Sequence, residues 1–182
     1  MSLFPFFRRP KWQESAHRLY GRLVAQARRT EFYTALGVPD TPQGRFEMIA
    51  LHAFLVLHRL KGETKAAARL SQAVFDVMFA DLDQSLREMG VGDLSVGRRV
   101  KSLAQGFYGR AAAYESGLTT EDRTLIAALS RNVYATAAPT PTPTQMAAMA
   151  AYLRREAEAL ARQDTADFLS GRVEFGPPPG AG

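Results

Sequence analysis

Acidic side chains crowd one stretch of this sequence, where Asp76, Asp81, Asp83 and Glu88 lie close together. Paired carboxylates can do general acid–base work or bridge a metal. At helical spacing, however, Asp76 and Asp83 project to a different side from Asp81, and the Glu-x-x-His pairs of di-metal bundles are absent. With no cysteine and only three histidines, thiolate ligation, iron–sulfur chemistry and a Cys nucleophile are excluded. His52 and His58 are six apart, which puts them on different helix faces, so a shared metal site is not expected. No P-loop, GxGxxG, HExxH or GxSxG occurs. The expectation is no catalytic residue, no metal and no cofactor; an enzyme of another kind would need a deep pocket of clustered titratable groups.

Two charges sit within apolar helical faces and demand partners: Asp81, and Arg110 at the edge of another stripe. Across a short turn they stand roughly 12 Å out of level at 1.5 Å per residue. Direct pairing is therefore not expected; Tyr108, Tyr114 or a carboxylate elsewhere would serve. A third charged feature is the stripe Lys11, Arg18, Arg22 and Arg29, opposite an apolar face of Ala16, Leu19, Tyr20, Leu23, Val24 and Ala27. Such a basic amphipathic helix is either a solvated face or a surface for anionic lipid, RNA or an acidic protein.

The elements that position these residues are all helical. The 182 residues are 46% apolar and 23% charged, with a net charge of +5, ordinary for a globular protein. The fold class is all-α, a single domain of about six helices. Expected helices run from Trp12 to Leu36, Thr41–Pro42 to Leu60, Glu63 to Met89, Asp93 or Ser95 to Ser116, and Thr120 to Asn132. A proline connector, 137–144, precedes a last helix over 145–170. The ends, a basic and aromatic segment 1–11 (Phe4, Phe6 and Phe7 before Arg8 and Arg9) and a tail 171–182, read as flexible and disordered. No run is long and apolar enough to span a membrane, and the leading segment reverses the order of a signal peptide, so a cytoplasmic place is expected.

The second helix is apolar nearly all round and should be central. The third carries an apolar arc of roughly 200° through Leu70, Val74, Phe75, Val77, Met78, Phe79, Leu82, Leu86 and Met89. That is wider than one packing contact needs, so it is either covered on two sides or partly exposed. In the fourth helix Val96, Val100, Leu103, Phe107 and Tyr114 form an apolar stripe, beside small residues Ser102, Gly106, Gly109 and Ala113. The small stripe predicts close packing against a neighbouring helix, or else a groove for a partner's helix.

The run from Phe75 to Val96 (FDVMFADLDQSLREMGVGDLSV) and the later FYGRAAAY from Phe107 to Tyr114 resemble the core motif of the ubiquinol–cytochrome c chaperone family. RFEMIALHAFLVLHRL upstream is similar too, so the resemblance covers about Phe32 to Leu118. It implies a non-catalytic assembly factor for respiratory complex III that binds newly made cytochrome b, here as a bacterial member peripheral to the inner membrane. The partner-binding candidates are then Phe75, Phe79, Asp81, Leu82, Asp83, Arg87, Phe107, Tyr108, Arg110 and Tyr114, with the basic stripe as a second surface. The alternative is an adaptor whose basic helix binds the ribosome or an anionic membrane.

Overall fold

A computed structural model describes residues 11–180, apart from the side chains of Lys11 and Leu94. Along it follow α1 (Lys11–Ala27), α2 (Thr30–Thr34), α3 (Pro42–Leu60), α4 (Lys65–Glu88), α5 (Asp93–Thr119), α6 (Asp122–Arg131), α7 (Pro143–Ala161) and α8 (Thr165–Leu169). No strand occurs among the described residues. Six of these are helices of two turns or more; α2 and α8 are single turns. The expected segment 1–11 lies, but for the backbone of Lys11, outside the described residues.

Local chemistry sets the boundaries. Thr41, Thr64 and Thr142 cap α3, α4 and α7, each accepting a hydrogen bond from the amide three residues on, and Pro42 and Pro143 fill first turns where no donor is required. At the end of α4, Gly90 takes φ of 80°, a left-handed conformation that suits glycine. Gly90 N then donates to Arg87 O and Val91 N to Leu86 O, capturing two orphan carbonyls.

Two expected helices are broken by tertiary demands. The first ends at Ala27 rather than Leu36, because Arg29 is extended (ψ 131°) and the Tyr33 hydroxyl donates to Ala27 O at 2.9 Å. The turn carries Phe32 into the interior, edge-on to Tyr152 with centroids 5.0 Å apart. The last helix ends at Ala161 because Arg59 of α3 takes its terminal carbonyls, donating to Leu160 O at 3.0 Å and Gln163 O at 2.8 Å, and also to the Thr165 hydroxyl.

Packing places α3 in the middle, against α1, α4, α5 and α7, while α6 bridges α5 and α7 and α8 sits under α1 and α4. The wide arc of α4 is thereby covered from two sides over part of its width, by α1 and α3 and by α5, while Phe75, Val77 and Leu82 stay half-buried and Met89 exposed. Residues 171–180, expected to be disordered, are instead a strap. Gln163 exchanges two hydrogen bonds with the Glu174 backbone, Gly176 N donates to Glu156 at 2.7 Å, Gln26 donates to Gly176 O, and Val173 and Pro178 are buried. Proline-rich composition signals an inability to make helix. It does not preclude an extended segment whose polar groups find side-chain partners.

A helix that is central yet carries polar residues must satisfy them from its neighbours. His52, fully buried, stands in a directional chain. Its Nδ1 lies 2.7 Å from Met48 O and its Nε2 2.8 Å from the Tyr152 hydroxyl, which accepts from Gln26 at 2.9 Å. The neutral ring donates at Nδ1 and accepts at Nε2, and burial pushes its pKa down to about 4. Glu47 is 1% exposed and held by Arg110 of α5, which donates to both carboxylate oxygens, at 2.7 Å to Oε2 and 2.5 Å to Oε1. Gln43 adds a third donor at 2.6 Å. This is the partner required by Arg110, a carboxylate from a helix other than α4.

Breaking that pair should be asymmetric. Arg110→Ala leaves Glu47 stranded and should cost about 3–5 kcal/mol in chemical denaturation. Glu47→Ala should cost less, because the Arg110 side chain is 17% exposed and can turn to water. Adding Glu47→Ala to Arg110→Ala should recover part of the loss.

The histidine predicts an acid limb. Unfolded, it binds a proton near its ordinary 6.5; folded, it resists until about 4. The unfolded state therefore binds more protons between those values, and stability should decline as pH falls through that window, by about 3 kcal/mol in all. In His52→Gln, whose carbonyl can still accept from Tyr152, the stability should be nearly flat from pH 6.5 to 5.

Candidate functional site: an apolar surface on α4 and α5

The sequence candidates divide into core and surface. Tyr114 is fully buried, Phe107 is 2% exposed and Phe79 7%, so all three hold α5 onto α3 and α4. The Tyr114 hydroxyl is buried, and burial pushes its ionisation upward, with the nearby Glu47 charge adding to the effect. Arg110 is structural as well, its guanidinium over the Phe46 ring at 5.6 Å while it grips Glu47.

Phe75, Tyr108 and Leu82 remain at the surface. Tyr108 is 63% exposed and stacks on Phe75, centroids 5.5 Å apart and planes at 29°. Phe75 in turn lies 4.6 Å from Phe79 and 5.7 Å from Phe107, so the shelf is rooted in the core. It overhangs a shallow depression of about 340 Å³ floored by Leu57, Leu60 and Ala68.

Farther along α4, Leu82 lines a larger groove, about 710 Å³, between the start of α3, the end of α4 and the start of α5. Phe46, Leu86, Met89, Val91 and Leu103 complete its apolar lining, and Gln43, Arg99 and Ser102 give it a polar rim. Met89 is 57% exposed. An unbranched, polarizable side chain standing in water beside an apolar groove suits a surface that must adapt to what it binds. The groove lies where α4 ends and α5 begins: the cap at Gly90 folds Val91 back beside Leu86, and Met89 is left exposed.

Asp81 is exposed rather than set in the apolar interior. It accepts a hydrogen bond from the hydroxyl of the buried Tyr20 of α1 at 2.6 Å, so the acid has a partner, though it is not Arg110. Burial raises the Tyr20 pKa, and the hydrogen bond and charge of that carboxylate add to the effect. Asp83 and Arg87 form an ion pair at 2.6 Å, and Arg87 also reaches Asp93 across the turn. They brace the groove's end, and exposed pairs of this kind add little stability.

The basic stripe is thinner than its spacing suggests. Arg18 donates to Ser170 O at 3.1 Å and clamps the end of α8, and Arg29 is paired with Glu31 at 2.7 Å. Arg22 is exposed, and the Lys11 side chain lies outside the described residues. The two glycines of the small-residue stripe of α5 do not mediate close helix packing. A Cβ on Gly109 would meet nothing within 4 Å, and one on Gly106 would meet only the Arg110 guanidinium, at 2.6 Å. Gly106 thus makes room for Arg110 to lie along its own helix toward Glu47. The close approach is at Gly117, where a Cβ would stand 2.8 Å from the Leu125 backbone of α6.

The reading by residue pattern missed Phe46, Val91 and Glu47 as determinants of this region. Glu47 carried a signal, a lone carboxylate in a helix otherwise apolar on every side. Phe46 and Val91 carried none, since their place in the groove depends on where α4 ends and α5 begins.

The chain is similar to proteins of one kind. The family described as Ubiquinol-cytochrome C chaperone matches residues 34–175. The Xenopus laevis protein named Ubiquinol-cytochrome-c reductase complex assembly factor 1 is 28% identical over 170 residues, covering 92% of this chain and 84% of that protein. The Mus musculus protein of that name is 26% identical, and there the chain spans only 57% of its relative's length. The crystal structure of the Cbp3 homolog from Brucella abortus superposes with a TM-score of 0.82 at 38% identity, covering 92% of this chain and 91% of that one. The match takes in every helix from α3 to α8, and with them both the Glu47–Arg110 pair and the groove above it, so the chain belongs to the ubiquinol–cytochrome c chaperone family.

Proposed function

We propose that the chain is a non-catalytic chaperone that binds newly made cytochrome b and promotes assembly of ubiquinol–cytochrome c reductase. The observation that carries the reading is the groove of Phe46, Leu82, Leu86, Met89, Val91 and Leu103, an open apolar surface of about 710 Å³ in a chain of this family. A client made of membrane helices needs apolar area that can be occupied and released. The groove supplies it, with Arg99 and Gln43 at the rim to orient what binds. The Tyr108 shelf offers a second, aromatic contact of the kind enriched at interface anchors. Chemistry on the client is not part of the proposal. Among the described residues no cluster of His, Asp and Glu could hold a metal ion, and the carboxylates beside the cavities are spread along α4 rather than converging. No described helix is long and apolar enough to cross a membrane, so contact with the client is proposed to be by surface docking.

Deletion of the gene should abolish assembled complex III while leaving other respiratory complexes near normal. Met89 and Tyr108 are exposed enough to change without harm to the core. Met89→Asp should lower the cytochrome b that co-purifies by about tenfold, the scale of one interface anchor, and Tyr108→Asp by less. Normal complex III in the deletion strain would overturn the assembly reading, and undiminished co-purification with Met89→Asp would remove the groove from it.

A further inference from the structure

Glu156 of α7 is a buried carboxylate that the chaperone reading leaves without a role. Its side chain is fully covered, with the neighbouring Arg155 at 3.1 Å and the Gly176 amide donating at 2.7 Å. The cover is the strap over residues 171–180, so a charge lies beneath the chain's own end. An apolar residue would seal that spot with a smaller desolvation penalty. What a carboxylate adds is recognition of a backbone N–H.

The rest of the strap is held in the same way, by side chains that read backbone. Gln26 of α1 donates to Gly176 O at 2.8 Å, so this glycine is gripped at both its amide and its carbonyl. Arg155 donates to Pro177 O at 2.6 Å, and Gln163 exchanges two hydrogen bonds with the Glu174 backbone. Between these contacts the side chains alternate. Val173 is buried, Glu174 is exposed, and Phe175 lies edge-on to the His52 ring of α3 with centroids 5.4 Å apart. Main-chain hydrogen bonds combined with alternate side chains in pockets are how proteins bind extended peptides. Glycine is demanded at 176, because a Cβ there would stand 2.7 Å from Glu156 Oε1. Among the described residues no backbone–backbone hydrogen bond holds 173–180. A chain end retained by side chains is one that a competitor can displace.

We propose that α1, α3 and α7 form a peptide-recognition seat for an extended segment of the pattern apolar–x–aromatic–Gly–Pro. Residues Val173 to Pro177 occupy it in cis, and a partner protein's segment of the same pattern displaces them. The seat shares no lining residue with the client groove, so the proposal stands apart from the chaperone reading.

A tethered strap competes at roughly millimolar effective concentration, so the seat must first be emptied. Two changes in the strap do this and leave the seat unaltered: Gly176→Val, by the clash with Glu156, and Phe175→Ser, by the lost contact with His52. In each full-length variant trypsin should cut after the exposed Arg172 about tenfold faster than in the parent chain. A fluorescein-labelled peptide VEFGPPPG, the sequence of residues 173–180, should then bind each variant about tenfold more tightly than the parent. The same peptide carrying Gly176→Val should not bind. Excess unlabelled VEFGPPPG should hasten cleavage of the parent chain. Failure of the peptide to bind variants that are cut faster overturns the proposal, as does unaltered cleavage in both. Loss of helicity in both variants overturns it by making the strap a fixed part of the core. A doubled mass of the parent in light scattering, single again in Gly176→Val, overturns it by giving the seat to a second copy's strap.

Discussion

A carboxylate buried within the central helix is the constraint on which the architecture depends. Glu47 cannot be left alone at 1% exposure, and the Arg110 fork satisfies it from the middle of α5. That single pairing fixes where α5 crosses α3, and Gly106 is present so that the arginine can lie down toward its partner. With α5 so placed, Phe107 and Tyr114 seal the core, and the groove at Leu82 and Met89 stays open where α4 ends and α5 begins. His52 plays the corresponding part for α7, through Tyr152, and the strap over residues 171–180 is drawn in by the same network through Gln26 and Glu156.

A buried ion pair often adds no more to stability than an apolar replacement of equal volume would, and setting register is its best-attested use. For a protein that must present an apolar groove without collapsing onto it, register matters. An α5 free to slide along α3 would bury Leu103 and Met89 against one another. Holding it by a bidentate ion pair keeps apolar surface exposed in a fold that has ample apolar material to hide it.

Much of this was legible in the sequence. Threonine caps, Pro42 and Gly90 announce the middle helices within a residue or two, and the run from Phe46 to Leu57 announces which helix is central. Periodicity also separated the faces of α4 and α5. It could not say which parts of a wide apolar arc would be covered, because that depends on where neighbouring helices end. Asp81 shows the limit well: its projection into the arc was sound, yet the arc there is a rim at the surface, and its partner Tyr20 comes from a helix that no spacing argument connects to it. The breaks at Ala27 and Ala161 and the ordered strap share one cause, backbone groups captured by side chains of other elements, Tyr33, Arg59, Gln26 and Glu156. Local propensity has no access to such partners.

The central claim is that the groove between α3, α4 and α5 receives the client. It is tested most directly by photo-crosslinking in cells. A photoreactive amino acid is placed at position 89 or 103, in the groove, and at 123 or 158, exposed on α6 and α7 away from it. Newly made cytochrome b should be captured from positions 89 and 103 and not from the other two. Capture from 123 or 158 with none from the groove would contradict the account.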